Sequence, residues 1–206
     1  MREIPLGQEK LNIGKQIIVF IGPEGSGKTT TARRLCEETG KPYITTGNII
    51  RDLAANNPGE LGDSCRAMFT EQRYLDGATL IKILLNRIKQ DDTAGGFILD
   101  GGMRTVEETQ GFQSMLESAN RCLPLMVVHL HIPGWMSFER LVSGPEARKR
   151  KDDTHDYILN RLSKYYLHLG QRVGIIKQQP SWELIHVDAT KPKDDVYRQL
   201  TSHFNG

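Results

Sequence analysis

A short apolar run leads directly into a glycine-rich loop, and this junction constrains the fold more than any other feature. Residues 17–21 read Ile-Ile-Val-Phe-Ile, a run typical of a parallel strand buried on both faces. Residues 22–29 read Gly-Pro-Glu-Gly-Ser-Gly-Lys-Thr and match the full P-loop pattern. Residues 29–39 have a helical pattern that ends at Gly40, a residue type common at helix C-caps. Strand, glycine loop and helix in this order predict a binding site for a polyphosphate.

The residue types of the loop indicate its chemistry. Gly25 and Gly27 allow positive φ angles, so that several backbone N–H groups can point at one anion. The N-terminus of the following helix adds its positive dipole. Lys28 can reach the β- and γ-phosphates, and Thr29 is the expected Mg²⁺ ligand with Thr30 as a second candidate. GTPases, ATPases and small-molecule kinases share this loop, so it does not choose among them.

Further strand-like runs alternate with helical patterns along the rest of the chain. Strands are predicted over residues 97–99, 125–132 and 183–187, and helices over residues 77–89, 105–119, 135–142, 153–178 and 193–204. This alternation predicts a single α/β domain, a parallel sheet flanked by helices in three layers. Ligands bind at the carboxyl ends of such strands, so we expect the loop at Gly22, Asp100 and the turn after Asp188 to converge.

Composition argues against several other classes of protein. Lys and Arg number 27 against 25 Asp and Glu, a balance that does not suit a nucleic-acid-binding protein. Cys36, Cys65 and Cys122 lie far apart, without the spacing of a zinc or redox motif. No apolar run has the length of a membrane helix, and residues 1–15 lack the apolar core of a secretory signal. We therefore expect a soluble cytoplasmic protein, with an organelle address left open.

Four further motifs follow the loop. Residues 43–51 read Tyr-Ile-Thr-Thr-Gly-Asn-Ile-Ile-Arg, and residues 97–105 read Phe-Ile-Leu-Asp-Gly-Gly-Met-Arg-Thr. Residues 150–153 read Arg-Lys-Asp-Asp, with Arg161 beyond them, and residues 187–192 read Val-Asp-Ala-Thr-Lys-Pro. In this order and spacing, behind a P-loop, they resemble the adenylate kinase branch of the nucleoside monophosphate kinases. The resemblance covers the chain from about residue 16 to residue 204.

The resemblance implies one P-loop kinase domain, of the P-loop NTPase type, over residues 1–206 with two excursions. The implied core comprises residues 16–45, 76–142 and 154–206, the monophosphate-binding segment residues 46–75, and a short lid residues 143–153. The implied protein is a monomer that transfers the γ-phosphoryl group of ATP, with Mg²⁺, to a nucleoside monophosphate, AMP first among them. Nucleotides are the implied partners. Because the lid contains no cysteine, zinc is not implied.

The motifs also imply roles for single residues. The implied ATP-binding residues are Gly25, Ser26, Gly27, Lys28, Thr29, Thr30, Arg140 and Lys191. The implied monophosphate-binding residues are Thr46, Arg51, Arg73, Tyr74, Leu75, Gly101, Gly102, Met103, Arg104, Glu108, Arg150 and Arg161. The implied metal residues are Thr29 and Asp100, partly through water, and the implied catalytic residues are Lys28, Arg104, Arg140, Arg150 and Arg161. Arginines suit this chemistry because they stay ionised and grip phosphate oxygens with two nitrogens.

The acceptor motif departs from the family pattern at two places. Gly102-Met103 replaces the usual Phe-Pro, which makes the turn more flexible. Glu108 stands where adenylate kinases usually carry a glutamine. An ionised glutamate only accepts hydrogen bonds and suits the two donors of guanine, so the alternative is that the acceptor is GMP, or another monophosphate through relaxed base selectivity. In other readings Glu108 points to solvent or Gln110 takes its place, and Thr46 favours AMP.

Three other functions remain to be weighed against a monophosphate kinase. A GTPase switch would need an Asn-Lys-x-Asp motif, and the sequence contains no Asn-Lys pair. A non-catalytic scaffold would not need Lys28, Asp100 and the arginines. A kinase of another small metabolite would not need the motif of residues 43–51 or the turn at Arg104.

Overall fold

A parallel sheet forms the centre of the computed structural model, which describes residues 11–71, 75–143 and 154–204. Its strands lie in the order β2-β3-β1-β4-β5, so the P-loop strand is central. The strands are β1 (Ile17–Ile21), β2 (Tyr43–Thr45), β3 (Ile98–Asp100), β4 (Leu125–His131) and β5 (Trp182–Asp188).

Helices connect the strands and cover both faces of the sheet. They are α1 (Lys28–Thr39), α2 (Thr46–Asn56), α3 (Glu60–Thr70), α4 (Gly77–Ile88), α5 (Val106–Ser118), α6 (Gly134–Val142), α7 (His155–Lys177) and α8 (Lys193–Thr201). Short 3-10 turns occupy Asp91–Thr93 and Ser202–Phe204.

Strand β1 is buried on both faces, as its continuous apolar run predicts. Side chains alternate along a strand, so Val19 faces one layer and Phe20 the other. Val19 packs in a core cluster with residues of α4, α5 and α7, such as Phe112. Phe20 packs in a second cluster with residues of α1 and α8, such as Leu35. The predicted three-layer α/β fold is therefore confirmed.

The sequence prediction missed β2, α2 and α3. Strand β2 has three residues at the edge of the sheet, and its pairing with β3 defines it rather than its own pattern. Helices α2 and α3 lie within residues 46–75, which the sequence indicated only as an excursion. They pack around a small separate core that includes Ile50, Cys65 and Leu75. Within the described residues, no helix is long and apolar enough to cross a membrane.

Two histidines meet side by side near the carboxyl ends of β4 and β5. His129 and His186 are register partners, and their Nδ1 atoms lie 3.1 Å apart. The Nε2 atom of His129 lies 3.2 Å from the hydroxyl of Tyr165 on α7. Burial, and then the neighbouring His186 and His131, lowers the pKa of His129 to about 4. The folded state therefore holds His129 neutral over a range in which an unfolded chain would protonate it.

This difference predicts that acid weakens the fold through His129. The folded pKa is lowered from 6.5, so stability falls as the pH decreases from about 6.5 to about 4. The slope from this one group is at most about 1.4 kcal/mol per pH unit. Urea unfolding across this range should show a shallower loss for His129→Asn than for the original chain. His203→Asn, at an exposed position, is the control and should keep the original slope; equal slopes in all three proteins would contradict the prediction.

Candidate active site

One large cleft lies at the carboxyl edge of the sheet and has a volume of about 1570 Å³. The loop after β1, Asp100 at the end of β3 and Ala189 after β5 all line it, so the predicted convergence is confirmed. Basic side chains outnumber carboxylates along its wall. A cleft of this size and charge suits ligands that carry several phosphates.

The glycine loop opens toward the cleft at the start of α1. Gly27 is the N-cap residue and has a φ angle of 88°. Residues other than glycine rarely adopt this backbone conformation. No atom would lie within 4 Å of a Cβ at this position, so the space in front of the helix N-terminus is open. Exposed backbone N–H groups and the helix dipole favour an anion there. Gly25, Ser26, Thr29 and Thr30 of the predicted ATP-binding set also line the cleft.

Lys28 is held inside the loop by backbone carbonyls. Its Nζ donates to the carbonyl oxygens of Gly22 (2.8 Å) and Pro23 (2.7 Å). Burial lowers the pKa of Lys28 to about 8, although the charges of Asp100 and Glu24 oppose this shift. Removal from water destabilises the Lys28 ammonium, and the negative charge of a neighbouring phosphate would stabilise it.

The Asp100 carboxylate collects two hydroxyl groups. Thr29 Oγ1 donates to its Oδ2 at 2.6 Å, and the Tyr43 hydroxyl donates to the same oxygen at 2.7 Å. Burial, and then Asp100, raises the pKa of Tyr43 to about 12, so the phenol stays protonated and donates. Sequence reasoning missed Tyr43, although it opens the motif of residues 43–51. The signal would have been a strand there that pairs with β3 and ends beside Asp100.

The predicted metal residues fit a magnesium ion that shares its coordination with phosphates. Thr29 and Asp100 supply hard oxygen atoms at the mouth of the loop. Among the described residues there is no group of three or more His, Cys, Asp or Glu side chains that could hold a metal ion by themselves. Mg²⁺ in kinase sites uses one or two protein carboxylates and completes its shell with water and substrate phosphates.

The turn between β3 and α5, residues 101–104, lines the cleft through Gly101, Gly102 and Arg104. Gly101 has a φ angle of 82°, and a Cβ there would come within 2.8 Å of the Arg104 guanidinium. The Arg104 Nε donates to Gly101 O at 2.6 Å, so glycine lets the arginine fold back over the turn. Thr46 is fully buried beneath, with its hydroxyl 3.5 Å from Gly101 O. Arg51 of α2 lines the cleft and donates to Asn48 Oδ1 at 2.8 Å.

Glu108 lies elsewhere than the sequence indicated. It is fully buried, and its two carboxylate oxygens accept from the backbone N–H groups of Met103 (3.0 Å) and Arg104 (2.6 Å). Burial raises the pKa of Glu108, while these hydrogen bonds favour the ionised form. The carboxylate neither points to solvent nor lines the cleft, and this position gives no support to a role in reading the acceptor base. The overlooked signal is a capping box, because Thr105 at the helix N-cap accepts from Glu108 N at 3.0 Å.

Two of the predicted arginines contact the P-loop from the helices that follow β4. Arg161 of α7 forms an ion pair with Glu24, and both side chains are largely buried. Arg140 of α6 donates to Gly25 O at 3.4 Å. Lys191 and Leu75 line the cleft, and Lys191 lies 4.0 Å from Asp188. Arg73, Tyr74 and Arg150 lie outside the described residues.

Comparison with known proteins identifies the family of this chain. A family model described as adenylate kinase matches residues 20–179. An adenylate kinase of Mycobacterium sp. (strain MCS) is 35% identical over 186 residues, which cover 87% of this chain and 94% of the relative. Adenylate kinases of Cyanothece sp. (strain PCC 7425) and Xanthomonas campestris pv. campestris (strain B100) are each 31% identical, cover 89% of this chain, and match over 92% and 96% of their own lengths.

The fold and the cleft define a P-loop phosphotransferase that acts on nucleotides. The family match and the relatives sharpen this class: the chain belongs to the adenylate kinase family and is a nucleoside monophosphate kinase. The predicted family and enzyme class are therefore confirmed.

The buried Glu108 leads to a prediction about stability. Glu108→Gln keeps the size of the side chain but places an NH₂ donor against one of two backbone N–H groups. One buried amide then loses its acceptor, and the free energy of unfolding should fall by about 1–3 kcal/mol. Urea unfolding measures this change.

The matched control is Glu107→Gln, the adjacent and exposed glutamate on the same helix. It should change the free energy of unfolding by less than about 0.5 kcal/mol. Equal losses of unfolding free energy in the two variants would contradict the prediction, because the buried carboxylate would then stabilise the fold no more than the exposed one.

Proposed function

We propose that the protein transfers the γ-phosphoryl group of Mg-ATP to AMP and forms two molecules of ADP. The observation that carries this proposal is the shared cleft, which the P-loop, Arg51 and Arg104 all line. The charges of Arg104 and Arg161 act on Lys28 within the same cleft. One loop of this kind accounts for one triphosphate, and a second cationic wall implies a second phosphorylated ligand.

The proposed reaction needs positioning and charge neutralisation more than acid–base chemistry. An oxygen of the acceptor phosphate forms a bond to the γ-phosphorus, and the bond from that phosphorus to the bridging oxygen of ADP breaks. The acceptor oxygen is already an anion, so no general base is required. Lys28 neutralises charge on the donor side, and Arg104 and Arg51 hold the acceptor phosphate. Arg140 and Arg161, beside the loop, stabilise the phosphoryl group as it moves from the donor to the acceptor.

A magnesium ion in this reaction would neutralise the charge of the donor phosphates. Thr29 and Asp100 are the residues that would hold it or its water molecules. Tyr43 donates to Asp100, which fixes the orientation of that carboxylate.

The implied division of the chain is part of the proposal. Residues 16–45, 76–142 and 154–206 would form the core, and residues 46–75, which contain α2 and α3, the monophosphate-binding segment. Residues 143–153 would form the lid that excludes water, so that the phosphoryl group goes to the acceptor. Arg73, Tyr74 and Arg150 keep their proposed roles in acceptor binding, and we propose a monomer located in the cytoplasm.

AMP is the proposed acceptor rather than GMP. The argument for GMP depended on a free Glu108 carboxylate, and that carboxylate accepts from two backbone amides. Thr46 remains the residue type that accompanies AMP acceptors in this family.

A panel of acceptors tests this function directly. With Mg-ATP, the purified protein should convert AMP to ADP with a kcat/KM at least about tenfold above those for GMP, CMP, UMP and dTMP. A coupled assay for diphosphate formation measures each value, with ATP alone as the control for hydrolysis. Lys28→Met should lower kcat by at least about 100-fold. Turnover of GMP equal to or faster than that of AMP would overturn the acceptor assignment, and no diphosphate from any monophosphate would overturn the function.

The pKa of Lys28 predicts a pH dependence of ATP binding. The free protein has a Lys28 pKa of about 8, and a bound triphosphate should raise it because the anion favours the ammonium. Above pH 8, binding then requires uptake of a proton, and affinity should fall by up to about tenfold per pH unit.

Calorimetric titration of ATP between pH 7 and pH 9.5 measures this effect. Lys28→Arg is the control, because its guanidinium stays charged over the whole range. Its affinity should be lower at neutral pH but nearly independent of pH. A pH-independent affinity in the original protein would contradict the prediction.

A further inference from the structure

Met103 has an unusual backbone conformation in the β3–α5 turn. Its φ angle is 53°, in the left-handed region that residues other than glycine rarely occupy. The side chain is fully buried in the core cluster on the α5 side of the sheet. Residues in such conformations persist where the surrounding structure holds them, and they concentrate at functional sites.

A buried arginine binds the carbonyl group of this residue. Arg172 of α7 is only 1% exposed, and its Nη1 donates to Met103 O at 2.9 Å. Its Nη2 donates to Tyr165 O at 3.0 Å and its Nε to His168 O at 3.4 Å. The guanidinium carbon also lies 4.6 Å from the centre of the Tyr165 ring. The planar group is therefore fixed to α7 on two sides while a third donor reaches the turn.

Glu108 binds the same peptide segment from the other side. Its carboxylate accepts from the N–H groups of Met103 and Arg104. Both backbone polar groups of Met103 are thus bound by ionisable side chains, one from α5 and one from α7. Because hydrogen bonds to charged groups are stronger than neutral ones, this pair can hold a strained turn in a single conformation.

The conformation of the β3–α5 turn sets the position of Arg104. The backbone N–H of Arg104 binds Glu108, and its Nε binds Gly101 O within the same four residues. A rotation of the peptide at Met103 would move both attachments and with them the guanidinium that faces the cleft. A displacement of about 1 Å in a group that holds substrate can lower a rate by about 100-fold.

We infer that Arg172 is a positioning residue for the acceptor site: through Met103 O it fixes the β3–α5 turn, and through the turn it fixes Arg104. This inference rests on the proposed role of Arg104 in binding the acceptor phosphate. Arg172 also lines the cleft, and the bond that ties it to the site runs to the turn on the acceptor side, so its loss should affect the acceptor and the donor unequally.

Three variants test the inference. Arg172→Leu keeps much of the bulk and removes all donors, and Arg172→Lys keeps the charge with a single ammonium. Arg121→Leu is the matched control, because Arg121 also donates to backbone carbonyls, those of Ala119 and Gln90, outside the cleft. If Arg172→Leu does not fold, Arg172→Lys carries the test.

The first measurement is steady-state kinetics with each substrate varied in turn. Arg172→Leu should raise the KM for AMP about tenfold and leave the KM for ATP within about twofold. Arg172→Lys should recover part of the loss, and Arg121→Leu should change neither KM. Equal changes of both KM values, or the same pattern in Arg121→Leu, would reduce Arg172 to a structural role.

The second measurement does not depend on turnover. Hydrogen exchange at the amides of Met103 and Arg104 should accelerate at least about tenfold in Arg172→Leu and remain unchanged in Arg121→Leu. Normal exchange there would overturn the inference even if the enzyme is active. If the original protein has no kinase activity, the proposed function fails, while this exchange still decides whether Arg172 holds the turn.

Discussion

The binding of the Lys28 ammonium by the glycine loop after the central strand is the interaction on which the cleft depends. A cation inside a protein needs partners, and here the carbonyls of the glycine loop supply them. That arrangement requires the loop to wrap around the ammonium. The glycines allow this backbone path, and the central position of β1 in the sheet fixes the point at which the loop begins. The same burial that lowers the pKa of Lys28 makes a phosphate a favourable neighbour. Affinity for the donor and the tight geometry of the loop therefore have one physical origin.

On the acceptor side of the cleft, charged side chains bind backbone groups of the β3–α5 turn. Arg104 must project a charge into the cleft from a short turn in which Gly101 and, two residues further on, Met103 both have positive φ angles. Residues 101–104 are too few to stabilise themselves, so side chains from α5 and α7 bind their backbone. Helix α7 also carries Arg161, which contacts the P-loop through Glu24. One helix thus contacts both walls of the cleft, and its position is coupled to both.

Local patterns predicted much of the fold because they arise from short-range physics. The run at residues 17–21 predicted a strand buried on both faces, and the strands predicted at residues 125–132 and 183–187 differ from β4 by one residue at one end and from β5 by one residue at each end. Strand β2 was missed because three residues show no period, and only the ladder with β3 defines it. Helices α2 and α3 were missed because their apolar residues face each other in a small core away from the sheet.

The sequence by itself determined the phosphate loop and most of the strands and helices, since these depend on neighbouring residues, and the order and spacing of its motifs determined the family. It also placed Asp100 directly after a predicted strand and Arg104 four residues further on, at the edge where the ends of parallel strands must meet. Only the tertiary structure decided the direction of Glu108 and the partner of Arg172. A carboxylate in the first turn of a helix binds the donors within its reach, and here they are the amides of the preceding turn. Arg172 meets Met103 across 69 positions of the chain, a contact that exists only once α7 packs against the turn.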